Sequence, residues 1–418
     1  MLTGGFLFMQ EKELLPHLFR TEYRKIISVL TKYFGVEHIE TAGDIVSETF
    51  LLAAETWGQK GLPDNPTAWL YKVSRNKAID FLRRSNLFNN KISKEIAHDS
   101  ATSTEMEIDL SGKNIKDSQL QMMFAVCHPS IPIESQIGLS LQVLCGFGAD
   151  EIADAFLTSR DTIYKRLARA KEKLRAERIE IRFPPPEMIS SRLDAVLTTL
   201  YLLFSEGYYS SSSNSTLRKE LCLEAMRLNL MLTEHEITDT PSANALLSLM
   251  CFHSSRFDAR LNPQGEIVLY EEQDENLWNK ELIEKGVYYL NRASTGRLIS
   301  KYHIEAAIAF WHTQKTDSKE KWENILQLYN QLLQLEYSPI AALNRTFALS
   351  KANSKEEAIV EAEKLKLDEN HLYHSLLGNL YLDSNKELAM QHFRKAFALS
   401  KSEQEKNFIL QIINKIGE

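Results

Sequence analysis

The 418-residue chain has only four cysteines, Cys127, Cys145, Cys222 and Cys251, and no two stand at a CxxC spacing. That scatter argues against a disulfide framework and reads as buried free thiols. Cys127 beside His128, and Cys251 two residues before His253, have no second pair to complete a zinc site. Long apolar runs are missing too, and Leu2 to Met9 is far short of the roughly 18 residues a membrane span needs. That start also lacks the basic flank of a signal peptide, so a cytoplasmic, membrane-free protein is expected, with Met9 a second candidate start. There is no phosphate-binding loop, nucleophile elbow or HExxH, which leaves an enzyme, a metal or a cofactor without support.

What is present is an ordinary globular composition, 44% apolar and 25% charged, able to build real cores. The length exceeds one ordinary domain, and two to four are expected. Residues 1–182 hold 24 Lys+Arg against 24 Asp+Glu, so the whole net charge of −7 lies in 183–418. Nucleic-acid affinity needs local positive charge to displace counterions, which points to patches in the first half.

The clearest such patch is Arg160 to Arg175. Ile163, Leu167, Ala170 and Leu174 step by four, three and four, which sets them on one helix face and leaves the basic residues elsewhere. Asp150 to Phe156 is a shorter helix joined to it by Leu157-Thr158-Ser159. Two helices across a three-residue turn outline a helix-turn-helix whose second helix can enter a major groove.

Upstream, Asn65 to Arg84 carries five Lys/Arg to one Asp from Trp69 onward. Leu70, Val73, Ala78, Phe81 and Leu82 supply an inward face, while Lys72, Arg75, Asn76, Arg83 and Arg84 face outward. Cations that track phosphates beside a planar ring suit melted or single-stranded DNA. The plainer reading is a solvated charged face with Trp69 in the core. In Asp44 to Trp57, Ile45, Leu52 and Trp57 are expected inside and Asp44, Glu48 and Glu55 on another side. One small domain then offers an acidic surface for protein and a basic one for nucleic acid.

In their order and spacing these stretches resemble bacterial sigma-70-family factors of the extracytoplasmic-function (ECF) type, with region 2, a linker and region 4. The resemblance rests on Asp44 to Trp57; on Asn65-Pro66, Ala68-Trp69-Leu70, Arg75-Asn76, Ala78-Ile79-Asp80 and Arg83-Arg84; and on Glu151-Ile152-Ala153, Thr162-Ile163, Arg166-Leu167 and Arg169-Ala170. Leu193 and Tyr201-Leu202-Leu203-Phe204-Ser205-Glu206-Gly207-Tyr208 are similar to the opening of a long helical C-terminal extension in one ECF subgroup. The resemblance implies core RNA polymerase (β′ and β subunits) and promoter DNA as partners, with an anti-sigma or other regulatory protein besides, and no cofactor. It implies Asp44, Glu48, Leu51 and Glu55 for polymerase binding, and Trp69, Lys72, Arg75, Asn76, Arg83 and Arg84 for the −10 element. Arg160, Thr162, Lys165, Arg166, Arg169 and Lys171 would read the −35 element, with arginines on guanine edges and Lys171 and Lys173 on phosphate. Leu157 stands where that family's turn often has glycine and Thr158 where it often has an aliphatic. A non-glycine held left-handed there costs about 1 kcal/mol.

An all-α fold is therefore expected: two small helical sigma domains and a helical extension ending in hairpins like tetratricopeptide (TPR) repeats. The expected segments are an N-terminal extension (1–10), region 2 (11–86), a flexible linker (87–116), region 4 (117–182), an extension domain (183–300) opened by Phe183-Pro184-Pro185-Pro186, and TPR-like repeats (301–418). From Tyr302 about seven amphipathic helices run in pairs. The best-marked pair has Leu377-Gly378 and Tyr381, then Ala389, Phe393 and Ala396. One short β-hairpin is expected at 261–269, with Asn262-Pro263-Gln264-Gly265 as its turn. Around it His253, Arg256, Asp258, Arg260, Glu271, Glu272, Gln273 and Asp274 read as an ion-pair network, a ligand pocket being the alternative. A second class of function fits the C-terminal part of the pattern: a stand-alone helix-turn-helix regulator with a ligand- or peptide-sensing TPR-like half. That protein would bind a specific duplex tightly without polymerase.

Overall fold

The computed structural model describes residues 11–85, 108–156, 158–209, 215–260, 262, 268–296, 298–400 and 403–417. Among them every regular element is a helix, as the periodicity predicts. The chain divides into two units that part between Met231 and Leu232. That division falls inside the segment 183–300 expected as one domain, because the first two helices after the proline run fold with the unit before them.

Three helices open the first unit: α1 (Glu11–Phe34), α2 (Ile39–Lys60) and α3 (Pro66–Arg84). Leu18, Ile26 and Leu30 of α1, Val46, Phe50 and Ala53 of α2, and Leu70, Ala78 and Leu82 of α3 are each at most 5% exposed. Large apolar side chains buried this fully contribute about 1.5–3 kcal/mol each, and that seam fixes which face each helix turns outward. Asn65 starts α3 by accepting the Ala68 N–H at 3.0 Å, and Pro66 occupies the first helical position, where its missing N–H costs nothing. Leu52, expected inside, is 38% exposed. The inward stripe of α2 runs through Ala42, Val46, Thr49, Phe50, Ala53 and Trp57, and position 52 is rotated about 100° from position 53.

The second bundle comprises α4 (Gly112–Val126), α5 (Ile133–Leu139), which runs on into a π-helical turn at Ser140–Cys145, α6 (Ala149–Ala155) and α7 (Arg160–Ala176). Helix α4 starts inside the expected linker, where Ile108 is already 1% exposed and Ser111 caps the helix. The earlier part of that linker lies outside the described residues. Helices α6 and α7 stand within one residue of their expected limits. Ile163, Leu167, Ala170 and Leu174 are 1–3% exposed, the stripe predicted from their spacing. Ser159 caps α7 by accepting the Thr162 N–H, and the Thr158 N–H closes the turn onto the Ala153 carbonyl at 3.0 Å. Thr158 does not adopt a left-handed conformation; Leu157 lies outside the described residues. Helices α8 (Pro186–Tyr209) and α9 (Ser215–Thr233) follow. Helix α8 packs on α4 and α5, where the Thr199 hydroxyl donates to Gln136 at 2.9 Å and Arg192 donates to the Phe124 carbonyl.

In the second unit α10 (Pro241–Ser254), α11 (Lys280–Ala293) and α12 (Lys301–Trp311) pack together. A Cβ on Gly286 would stand 2.5 Å from the Phe252 ring, so only glycine permits this approach of α11 to α10. Helices α13 (Lys319–Leu335), α14 (Pro339–Ala352), α15 (Lys355–Lys364), α16 (His371–Tyr381), α17 (Lys386–Leu399) and α18 (Glu403–Gly417) continue as successive neighbours. With α12 they make the seven helices expected from Tyr302 onward. Gly378 meets the face of Phe393, a Cβ there falling at 3.0 Å, while Leu377, Ala389 and Ala396 are at most 1% exposed. The expected β-hairpin lies mostly outside the described residues. Its flanks are joined by the Val268 N–H donating to the Arg260 carbonyl at 2.9 Å. All four cysteines are buried free thiols, and burial pushes Cys127 up to about 11 and Cys251 up to about 12.

Candidate polymerase and nucleic-acid interface

Asp44, Glu48, Leu51 and Glu55 are spaced four, three and four along α2, and all four are exposed on one face, Leu51 at 61%. Leu52 adds a second exposed leucine at its edge. Glu48 is met by Lys77 of α3 at 2.7 Å, yet its side chain stays 63% exposed. The face is therefore apolar at its centre with carboxylates around it, suited to a protein surface that offers cations around a nonpolar contact.

On α3, Leu70, Ser74, Ala78 and Leu82 point inward at steps of four. At 100° per residue Trp69, Lys72, Asn76 and Arg83 then fall within about 60° of one another, with Arg75 and Arg84 on the two shoulders. Lys72, Asn76, Arg83 and Arg84 are exposed and Arg75 is half-buried. Trp69 is also half-buried, standing edge-on to Trp57 at 5.4 Å between ring centroids. It is neither a core residue nor a free one: Trp57 fixes its plane while part of the ring stays open beside the cations. Sequence reasoning missed the support beneath this helix. Tyr71 donates its hydroxyl to Glu22 at 2.6 Å, and Glu22 also accepts from Lys25 at 2.7 Å. Burial and the Glu22 carboxylate both raise the Tyr71 pKa, keeping that hydroxyl a donor.

On α7, Thr162, Lys165, Arg166 and Arg169 line a groove of about 460 Å³ shared with Ile131, Pro132, Glu134 and Ser135 at the start of α5. Lys173 completes the same wall. The structure does not bring Arg160 or Lys171 to this groove. Both lie beyond the opposite edge of the buried stripe, Lys171 about 180° around the helix from Thr162. Arg160 meets Asp150 at 3.2 Å and Tyr164, and Lys171, only 14% exposed, faces Glu40 at 3.5 Å. Arg166 lines the groove while its guanidinium lies over the Phe156 ring at 5.9 Å. The helical phase of Lys173 against Thr162 and Arg169 was the signal that could have preferred it to Lys171.

The cluster around 253–274 combines ion pairing, Glu271 meeting Lys351 at 2.7 Å, with cations laid on rings. Arg256 lies over Tyr270 at 5.3 Å and Trp278 at 6.0 Å. Lys321, 2% exposed, sits 4.9 Å from the Tyr270 ring centre and donates to its hydroxyl at 2.9 Å. Arg256 and Lys321 rest on aromatic faces while Lys351 pairs with Glu271, so cation–ring contacts and an ion pair together fasten the 268–278 loop to α13 and α14. His312, beside Arg256 and Lys321, is pushed down to about 3 by burial and by those two charges. Among the described residues no cluster of His, Cys, Asp and Glu is arranged to hold a metal, and no helix is long and apolar enough to cross a membrane.

Residues 18–87, spanning α1 to α3, match sigma-70 region 2, and residues 192–294 match a family of unknown function (DUF6596). An uncharacterized protein of Rhizobium meliloti (strain 1021) is 32% identical over 388 residues, covering 92% of this chain and 91% of its own. No solved structure matches. Residues 18–87 therefore carry the region 2 domain of sigma-70-family factors, and the chain as a whole belongs to one family with that Rhizobium protein. Region 2 is the part of such factors that meets core RNA polymerase and promoter DNA.

Proposed function

We propose that this chain is an ECF-type sigma factor that reads promoters in two parts, through α3 at the −10 element and through α7 at the −35 element. The observation that carries the reading is the pairing of two unlike faces in one three-helix bundle: Leu51 ringed by Asp44, Glu48 and Glu55 on α2, and Trp69 among Lys72, Asn76 and Arg83 on α3. The first docks on core polymerase. The second holds the melted strand, with cations tracking phosphates, Trp69 stacking an unpaired base and Asn76 reading its edge. Helix α7 enters the major groove with Arg166 and Arg169 toward base edges and Lys165 and Lys173 toward phosphates. Polymerase supplies all the chemistry.

The segment after residue 183 is a regulatory or partner-binding module, and its paired helices from α12 onward form a TPR-like surface. The test is transcription from genomic fragments by core polymerase with and without the purified full chain. Start sites that appear only with the chain support the reading. Tight binding to a specific duplex with no effect on polymerase would instead make it a stand-alone regulator.

A further inference from the structure

The two DNA-reading bundles touch in this structure. Lys171 of α7 faces Glu40 of α2 at 3.5 Å, Arg175 donates to the Glu37 carbonyl at 3.2 Å, and Lys32 of α1 reaches Asn114 of α4 at 3.2 Å. If the proposed function holds, these contacts cannot persist on a promoter. Elements named −10 and −35 lie about 25 base pairs apart, or roughly 85 Å of duplex.

A further tie across this seam, besides the packing of α1 on α4 and on the π-helical turn, comes from the segment of unknown function. Glu224 of α9 accepts from Arg24 of α1 at 2.5 Å and from Arg227 of its own helix at 2.8 Å. Arg227 in turn donates to the Leu144 carbonyl, in the π-helical turn of the second bundle, at 2.8 Å. The Arg24 and Glu224 side chains are only 12% and 18% exposed. A half-buried carboxylate shared by two guanidiniums joins three parts of the chain at one point: the region 2 bundle, the helix-turn-helix bundle and the extension. Helix α8 is already fixed to the second bundle through Thr199 and Arg192, so extension and helix-turn-helix form one side of the seam and the region 2 bundle, with Arg24 on α1, forms the other.

We infer that the α8–α9 hairpin is a built-in latch: Glu224 grips Arg24 and holds the two promoter-reading bundles closed until the chain is engaged. The inference rests on the sigma-factor reading for its purpose but not for its geometry. Opening rehydrates Arg24, whereas removing its charge partner while the seam stays closed would leave a desolvated cation, which is strongly unfavourable. The latch is therefore sensitive to one charge.

The test is a spin-label distance in the full chain between Gln59→Cys on α2 and Ala168→Cys on α7, both exposed sites, the native cysteines being buried. Wild type and Arg24→Lys are expected to give one short distance. Arg24→Glu, which sets like charges against each other, is expected to shift the main population to a longer, broader one at unchanged helix content. Should Arg24→Glu lose helix content, the isosteric Glu224→Gln decides by the same shift. A long distance in wild type, or no lengthening in the variants, overturns the latch. Adding core polymerase separates the two readings: it should lengthen the wild-type distance, and a latch that opens by mutation but never responds to polymerase would stand without the sigma-factor role.

Discussion

Helices α3 and α7 are both strongly basic, yet they present their cations in different company. On α3 the exposed stripe contains a half-buried tryptophan and an amide among its charges. On α7 the charges line a groove with a threonine and no aromatic, while the exposed Tyr164 lies on another face beside Arg160. The difference teaches that net charge says only that a helix can meet phosphate. What stands between the cations decides whether it suits an unstacked base or the edges of a closed duplex.

The largest effects test the scaffold the two helices share. Leu70→Ala and Leu167→Ala each empty a core position at most 3% exposed and should lower unfolding stability by about 2–5 kcal/mol in denaturant titrations. Next come the two recognition modes themselves. Trp69→Ala should cost about 1–3 kcal/mol on DNA with a melted −10 strand and little on closed duplex. Arg166→Ala should cost about 1–3 kcal/mol on the preferred −35 duplex and relax base preference there. Equal losses on both DNAs from either variant would erase the contrast between the helices. Lys173→Ala should weaken binding of all sequences alike and lower the salt slope by about one charge. Smallest of all, Lys171→Ala should leave −35 base preference unchanged, and a loss as large as that of Lys173→Ala would put Lys171 in the groove after all.

Much of this was legible in the sequence because helix period and burial are tied together. The spacing of Ile163, Leu167, Ala170 and Leu174 predicts the inward stripe of α7, and Leu377-Gly378 with Phe393 predicts a close helix pair. Legibility ended where partners are distant in the chain. Leu52 looks apolar and therefore buried, but the phase of α2 is set by what α1 and α3 cover. Arg256 and Lys321 find Tyr270 and Trp278, and Glu271 finds Lys351 eighty residues on, partners that proximity in sequence could not name. The grip of Glu224 on Arg24, two hundred residues apart, carries no local signal at all.

The central claim is that α2 docks polymerase while α3 and α7 read DNA, and titrating labelled full-length chain with core RNA polymerase tests it most directly. Saturable binding is predicted, weakened at least about tenfold, or about 1.4 kcal/mol, by Leu51→Asp and unchanged by Trp69→Ala and Arg166→Ala. Absence of binding, or loss caused by the α3 and α7 variants while Leu51→Asp binds normally, would contradict it.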